Sequence, residues 1–234
     1  MPANSTTIPV YLEVGQKRVF AGALDWPGWL VSGRDEASAL QALFDAGPRY
    51  ARVLRGTRLG FTVPKAPDAL KVVERLKGNT STDFGAPNVP PSRDERPVDA
   101  AELQRLETLL RASWRAFDAA AQVAAGKELR KGPRGGGREL DGITRHVLSA
   151  EAGYLSALGW KFKHDEKGAL GVEKRRTRAA IIAGLAASVR GEIPAIGPRG
   201  GQRWQPRYFV RRTVWHVIDH TWEIENRLRE EEEA

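Results

Sequence analysis

Hydrophobic and polar positions change rhythm near the middle of the chain. Val10, Leu12 and Val14 alternate with Tyr11 and Glu13, the period-two pattern of a strand. Gly15-Gln16 supplies a two-residue turn and residues 17–21 return, so a hairpin is predicted. An aromatic-bearing loop or short strand follows, Asp25-Trp26-Pro27-Gly28-Trp29-Leu30-Val31-Ser32-Gly33. Asp35 is placed to cap a helix with Ala37, Leu40, Leu43 and Phe44 on one face, which Gly47-Pro48 is expected to stop. A short helix at 50–54, a strand at Phe61-Thr62-Val63 and a helix over 69–76 complete a small α+β unit.

The stretch 85–97 carries Pro87, Pro90, Pro91 and Pro97, which favour an extended linker between residues 1–84 and 98–234. Beyond it the pattern is helical. The first helix is predicted over 99–125, with Leu103, Leu106, Leu110, Trp114, Phe117 and Ala121 at the three-four spacing of a buried face. Three more are predicted over 139–158, 172–190 and 206–230. Long helices with moderate connections suggest an all-α, up-down-up-down four-helix bundle, in which the second and fourth helices run parallel.

Composition narrows the class. In 234 residues, 41% hydrophobic and 28% charged, there is enough apolar material for real cores. No apolar run approaches the ~20 residues of a membrane span, and the first seven residues have neither a basic nor an apolar segment of a secretory leader. A soluble, cytoplasmic protein is expected. With no cysteine, thiolate nucleophiles, disulfides, zinc fingers and iron–sulfur clusters are excluded, and any transition metal needs nitrogen and oxygen ligands. The net charge of +8 invites nucleic acid, but it is dispersed, with Lys174-Arg175-Arg176 as its longest block. Nucleic-acid binding is therefore not expected as the main function.

Four histidines carry the candidate chemistry: His146, His164, His216 and His220. At about 100° per residue, His216 and His220 share one edge of the fourth helix, beside an apolar arc of Val210, Val214, Val217, Ile224 and Leu228. His146 occupies the same edge of the second helix, beside Leu140, Ile143, Val147, Tyr154 and Leu158. Their depths match to about one turn, so three neutral imidazoles can converge and leave positions free for water or substrate. The pair is not a zincin motif, because Val217 stands where the glutamate would be. Glu151 falls inside the apolar arc, where it orients a ligand imidazole, serves as a base with a raised pKa, or pairs with an inward arginine. Glu223 can reach the site, whereas Asp219 is expected to pair with Arg211 or Arg212 on the surface. His164 lies in a charged loop and is expected to be solvated.

With Arg145-His146-Val147-Leu148-Ser149-Ala150-Glu151 and Trp215-His216-Val217-Ile218-Asp219-His220, the chain over about 98–230 resembles the DinB/YfiT-like metalloproteins. Their signature is one histidine on the second helix and His-x-x-x-His on the fourth. The resemblance implies a divalent ion, zinc or nickel with iron as a further option, held by His146, His216 and His220. It also implies hydrolase activity, or thiol-dependent transfer in which an external low-molecular-weight thiol is the cofactor. Residues 8–56, through the paired strands, Trp26-Pro27-Gly28 and the Ser32–Leu40 stretch Ser32-Gly33-Arg34-Asp35-Glu36-Ala37-Ser38-Ala39-Leu40, resemble the HicB-like antitoxin fold, which implies a partner-binding module.

Gly132-Pro133-Arg134-Gly135-Gly136-Gly137-Arg138 and Gly197-Pro198-Arg199-Gly200-Gly201-Gln202-Arg203 match at six of seven positions, and each precedes a helix. Neither fits a phosphate-binding loop. With parallel helices, Arg134, Arg138, Arg199 and Arg203 form one positive rim that attracts an anionic small-molecule substrate. A stripe of Trp215 and Trp222 is expected to be exposed as a homodimer contact. The alternative to an enzyme is a binding protein whose N-terminal unit docks a macromolecular partner.

Overall fold

A computed structural model of the chain describes residues 7–131 and 137–228. The chain divides into two compact units, Met1–Arg96 and Pro97–Ala234. The first is a mixed sheet with helices; the second is helical. Among the described residues, no helix is long and apolar enough to cross a membrane.

In the first unit, β1 (Ile8–Val14), β2 (Val19–Ala23), β3 (Leu30–Gly33) and β4 (Leu70–Lys77) form one sheet in the order β3-β2-β1-β4. The hairpin is as the alternation predicts, with Leu12 opposite Ala21. β4 runs parallel to β1 where a helix over 69–76 was expected. Its residues alternate between sheltered and exposed from Leu70 to Lys77, a period of two that the short apolar run had disguised. The helix α1 (Glu36–Val53) opens on a capping box of Asp35 and Ser38. It continues through Gly47-Pro48 because the turns beyond are packed: Gly47, Tyr50 and Val53 are buried, and the Tyr50 hydroxyl donates to the Pro27 carbonyl at 2.9 Å. Phe61 is not in a strand; its ring sits edge-on to Trp26, Trp29 and Tyr50.

Both sheet faces are covered. Arg75, level with Leu12, pairs with Glu36 of α1, while Glu74, level with Tyr11, accepts from the Ser92 amide on the opposite face. The short helix α2 (Thr80–Phe84) and the proline-rich stretch lie on that second face. Glu13 is fully buried there, its carboxylate accepting from the Thr82 hydroxyl at 2.5 Å, the Asn88 amide at 2.9 Å and the Val89 amide at 3.1 Å. The stretch expected as a free linker is thus mostly fastened to the sheet, and the first unit runs to Arg96.

In the second unit, α3 (Ala100–Ala124), α4 (Leu140–Leu158), α5 (Leu170–Val189) and α6 (Pro206–Leu228) lie within two residues of the expected spans. Their directions differ from expectation. Arg207 at the start of α6 pairs with Glu102 at the start of α3, so those two helices are parallel. The Trp204 amide, just before α6, donates to Ala157 O at the end of α4, and Arg227 near the end of α6 donates to Arg138 O just before α4. α4 and α6 are therefore antiparallel. The connection 159–169 runs back along the unit: Arg145, early in α4, donates to Glu166 O, and Gly184, late in α5, abuts Leu155 and Trp160 at the end of α4. The directions are up, down, down, up. α6 packs against α3, α4 and α5 and is buried on nearly every side from Tyr208 to Ile218.

Candidate metal centre

The three histidines come together on the seam between α4 and α6, which run antiparallel. His146 lies six residues from the start of α4 and His220 eight from the end of α6, about 9 and 12 Å from a shared end. A nitrogen from each of His146, His216 and His220 lies within 4.8 Å of the others. Ring centroids are 4.5 Å apart for His216 and His220, 4.8 Å for His146 and His220, and 5.1 Å for His146 and His216. The Nε2 atoms of His216 and His220 are 3.2 Å apart. Two nitrogens about 2.1 Å from a common ion subtend about 3.0–3.4 Å, so this spacing fits one edge of a coordination shell.

Protonation also suits a ligand set. Burial pushes the His216 imidazole down to about 2, helped by His220, His146, Arg212 and Arg138. Burial likewise lowers His146, with His220 and Arg138 acting in the same direction and Glu223 against it. Both rings are neutral at pH 7 and offer a lone pair. His220 Nδ1 lies 2.7 Å from Glu223 Oε2. An ionised carboxylate can only accept, so Nδ1 is the donor of this bond, and Nε2 is the nitrogen turned toward His216. Glu223 is held below its ordinary value, first by that bond and further by Arg227, whose Nη1 is 3.2 Å from Glu223 Oε1. Arg227 is fixed in turn by Arg130 O at 2.6 Å and Arg138 O at 2.7 Å. The chain Arg227–Glu223–His220 is the orienting arrangement that metal-binding histidines use. His216 Nδ1 is buried and has no hydrogen-bond partner.

The other expected site residues fare differently. Glu151 is buried, 1% exposed, and accepts from Trp114 Nε1 at 2.7 Å. Burial pushes its carboxyl up to about 7, against the Trp114 bond and Arg178. No hydrogen bond links it to an imidazole among the described residues, and the orienting role falls to Glu223. Arg134 lies outside the described residues. Arg138 is exposed and acts electrostatically on His146 and His216. Arg199 is exposed on the connection to α6, and Arg203 donates to Pro194 O at 3.0 Å while filling the space beside Gly159 at the end of α4. Because α4 and α6 are antiparallel, Arg138 stands at the opposite end of the pair from Arg199 and Arg203, so these three described arginines do not share one rim.

Three more expectations are corrected. His164 is largely buried, with Nδ1 2.8 Å from Glu173 Oε1. Arg211, Arg212 and Trp215 are buried rather than superficial. Sequence reasoning gave Arg212 only a surface pairing with Asp219 and passed over Arg227, although each stands four residues along α6 from a site residue, His216 and Glu223.

Compared with known proteins, the chain matches no protein-family model, no curated protein and no solved structure.

Proposed function

We propose that the second unit is a four-helix bundle of the DinB/YfiT-like kind and that the protein is a divalent-metal-dependent enzyme acting on a small molecule. The observation that carries this reading is the convergence of three imidazoles from two antiparallel helices, with a carboxylate behind one of them. His146, His216 and His220 would hold zinc or nickel, with iron as the third option for imidazole ligands. A bound ion would supply Lewis acidity, lowering the pKa of a water or of an external low-molecular-weight thiol. The chain itself has no cysteine to offer. Glu223 keeps the proton on His220 Nδ1, and Arg227 keeps Glu223 ionised and in place. The polypeptide around His216 excludes bulk water, which strengthens electrostatic interactions at the site.

Metal analysis of untagged protein beside His216→Ala tests the reading. Wild type is expected to hold close to one equivalent of zinc or nickel and the variant essentially none. Absence of metal from wild type, even after reconstitution, removes the enzyme reading. The second reading is a binding protein that uses its N-terminal unit. It is favoured by Phe84, 86% exposed beside a cavity of about 520 Å³ that Lys17, Lys77 and Asn79 also line.

A further inference from the structure

One turn before His216 on the same face of α6, Arg212 is buried with only 7% of its surface exposed. Its Nε and Nη1 are shielded and have no hydrogen-bond partner. Nη2 reaches the Tyr154 hydroxyl at 3.3 Å, a long contact. The guanidinium is held over the rings of Trp215, at 4.8 Å, and Tyr154, at 5.3 Å. Those rings orient the cation and offset part of its burial, but they leave N–H donors unmet, and a buried guanidinium with unmet donors is costly. Tyr154 ties this group to the histidines: its ring stands edge-on to His216 at 5.8 Å.

The charge around the site points the same way. The three imidazoles bring no negative charge, and the one carboxylate at them, Glu223, is already shared by His220 and Arg227. Arg212 and Arg138 both act as positive charges on His216. Against them, Glu151 and Asp219 act as negative charges on Tyr154. A divalent ion added here would bring two further positive charges beside Arg212, and an anionic ligand offsets them.

We propose that Arg212, together with the Tyr154 hydroxyl, is the receptor for an oxyanion group, carboxylate or phosphate, carried by the ligand of the three-histidine site. This assignment rests on the metal-centre reading for its location, though not for its anion chemistry. The Nη1–Nη2 edge of the guanidinium is the fork: Nη1 is unpartnered, and the long Nη2 contact is one that an oxyanion displaces or shares. The substrate class is therefore a small acid whose other end reaches the histidines. Arg212 is a binding residue here, in place of Arg138, Arg199 and Arg203, which the helix directions keep apart.

Full-length protein loaded with cobalt(II) is titrated with acetate and with inorganic phosphate at matched ionic strength, chloride serving as control. The visible cobalt bands are expected to shift with one or both oxyanions and not with chloride, and the tighter binder names the group. Arg212→Met is expected to weaken that response roughly 10- to 100-fold, and Tyr154→Phe, which keeps the ring and the fold, by several-fold. No oxyanion response in wild type, or an undiminished one in Tyr154→Phe and Arg212→Met, overturns the proposal. If cobalt is not taken up, the metal reading fails separately. The metal-free protein then decides: acetate or phosphate should raise the Tm of wild type above the chloride control, raise that of Tyr154→Phe less and leave that of Arg212→Met unmoved, and no such difference again overturns it.

Discussion

Glu13 and His216 are buried polar side chains in different units, and their surroundings are opposite. Every direction around the Glu13 carboxylate is met from within the first unit, by the Thr82 hydroxyl and the Asn88 and Val89 amides. Around His216 the unit stops short: Nδ1 has no partner, and one turn away Arg212 keeps two unmet donors. Satisfied buried polarity fixes a structure, because each removed partner leaves another stranded. Unsatisfied buried polarity in a cluster of ligand-type nitrogens is instead a standing cost that a bound species relieves. Around Glu13 the polar groups close the structure; around His216 they hold it ready.

Replacing each side chain by an apolar one of similar bulk separates the two cases. Glu13→Leu strands two backbone donors and a hydroxyl, and is expected to cost about 3–4 kcal/mol in urea unfolding. His216→Leu in metal-free protein removes a ring whose Nδ1 was already unmet and whose Nε2 has only the 3.2 Å contact with His220, and is expected to lie within about 1 kcal/mol of wild type. Equal losses would erase the distinction. The proline-rich stretch should also become sensitive to proteolysis in Glu13→Leu alone, since its amides are what Glu13 holds.

Titration sharpens the same contrast within the second unit. The His216 imidazole, near 2 when folded and 6.5 as its ordinary value, binds a proton more readily in the unfolded chain. Its contribution is full above pH 6.5 and declines as pH falls, by about 2 kcal/mol between pH 7 and 5. His146, also lowered, acts in the same direction. Glu151 has the reverse sign. Folded near 7 against an ordinary 4.5, it keeps a proton that the unfolded chain sheds, so its stability is full below 4.5 and is lost as pH rises to about 7. The metal-free protein should therefore be most stable between these limits. Glu151→Gln keeps an acceptor for Trp114 and is expected to match wild type at pH 4.5 but exceed it by about 3 kcal/mol at pH 8. A gap that does not change with pH would show that Glu151 is ionised when folded.

The candidate site was more legible than the path of the chain that builds it. His-x-x-x-His and a third histidine at a helix edge are local facts of spacing, and near mid-helix either relative direction brings them to similar depth. Direction itself depends on whether residues 159–169 turn tightly or run back along the helices. That is decided by contacts such as Arg145 with Glu166 O and His164 with Glu173, which no periodicity encodes. The arginine rim failed for this reason. β4 was missed because Leu70, Val72, Val73 and Leu76 satisfy a helical spacing almost as well as an alternating one, and only pairing with β1 arbitrates. Pro48 misled because the loss of one backbone bond is outweighed by burial of Gly47, Tyr50 and Val53, which is tertiary.

The smallest expected effect concerns how the helices begin. In the first unit, α1 and α2 both start with a capping box, Asp35 with Ser38 and Asn79 with Thr82. In the second, α4 and α5 start at Glu139 and Ala169 with no side-chain cap. Ala169 is exposed and extended, with φ −61° and ψ 124°, so a hydroxyl there can accept from the amides of the first turn without displacing a neighbour. Ala169→Ser is expected to stabilise the protein by about 0.5–1 kcal/mol, read as a higher urea midpoint with an unchanged slope. Metal content should not change, because the substitution acts on the start of α5 whereas the histidines are held by α4 and α6. A gain in stability together with a loss of metal would mean that the uncapped start of α5 belongs to the site.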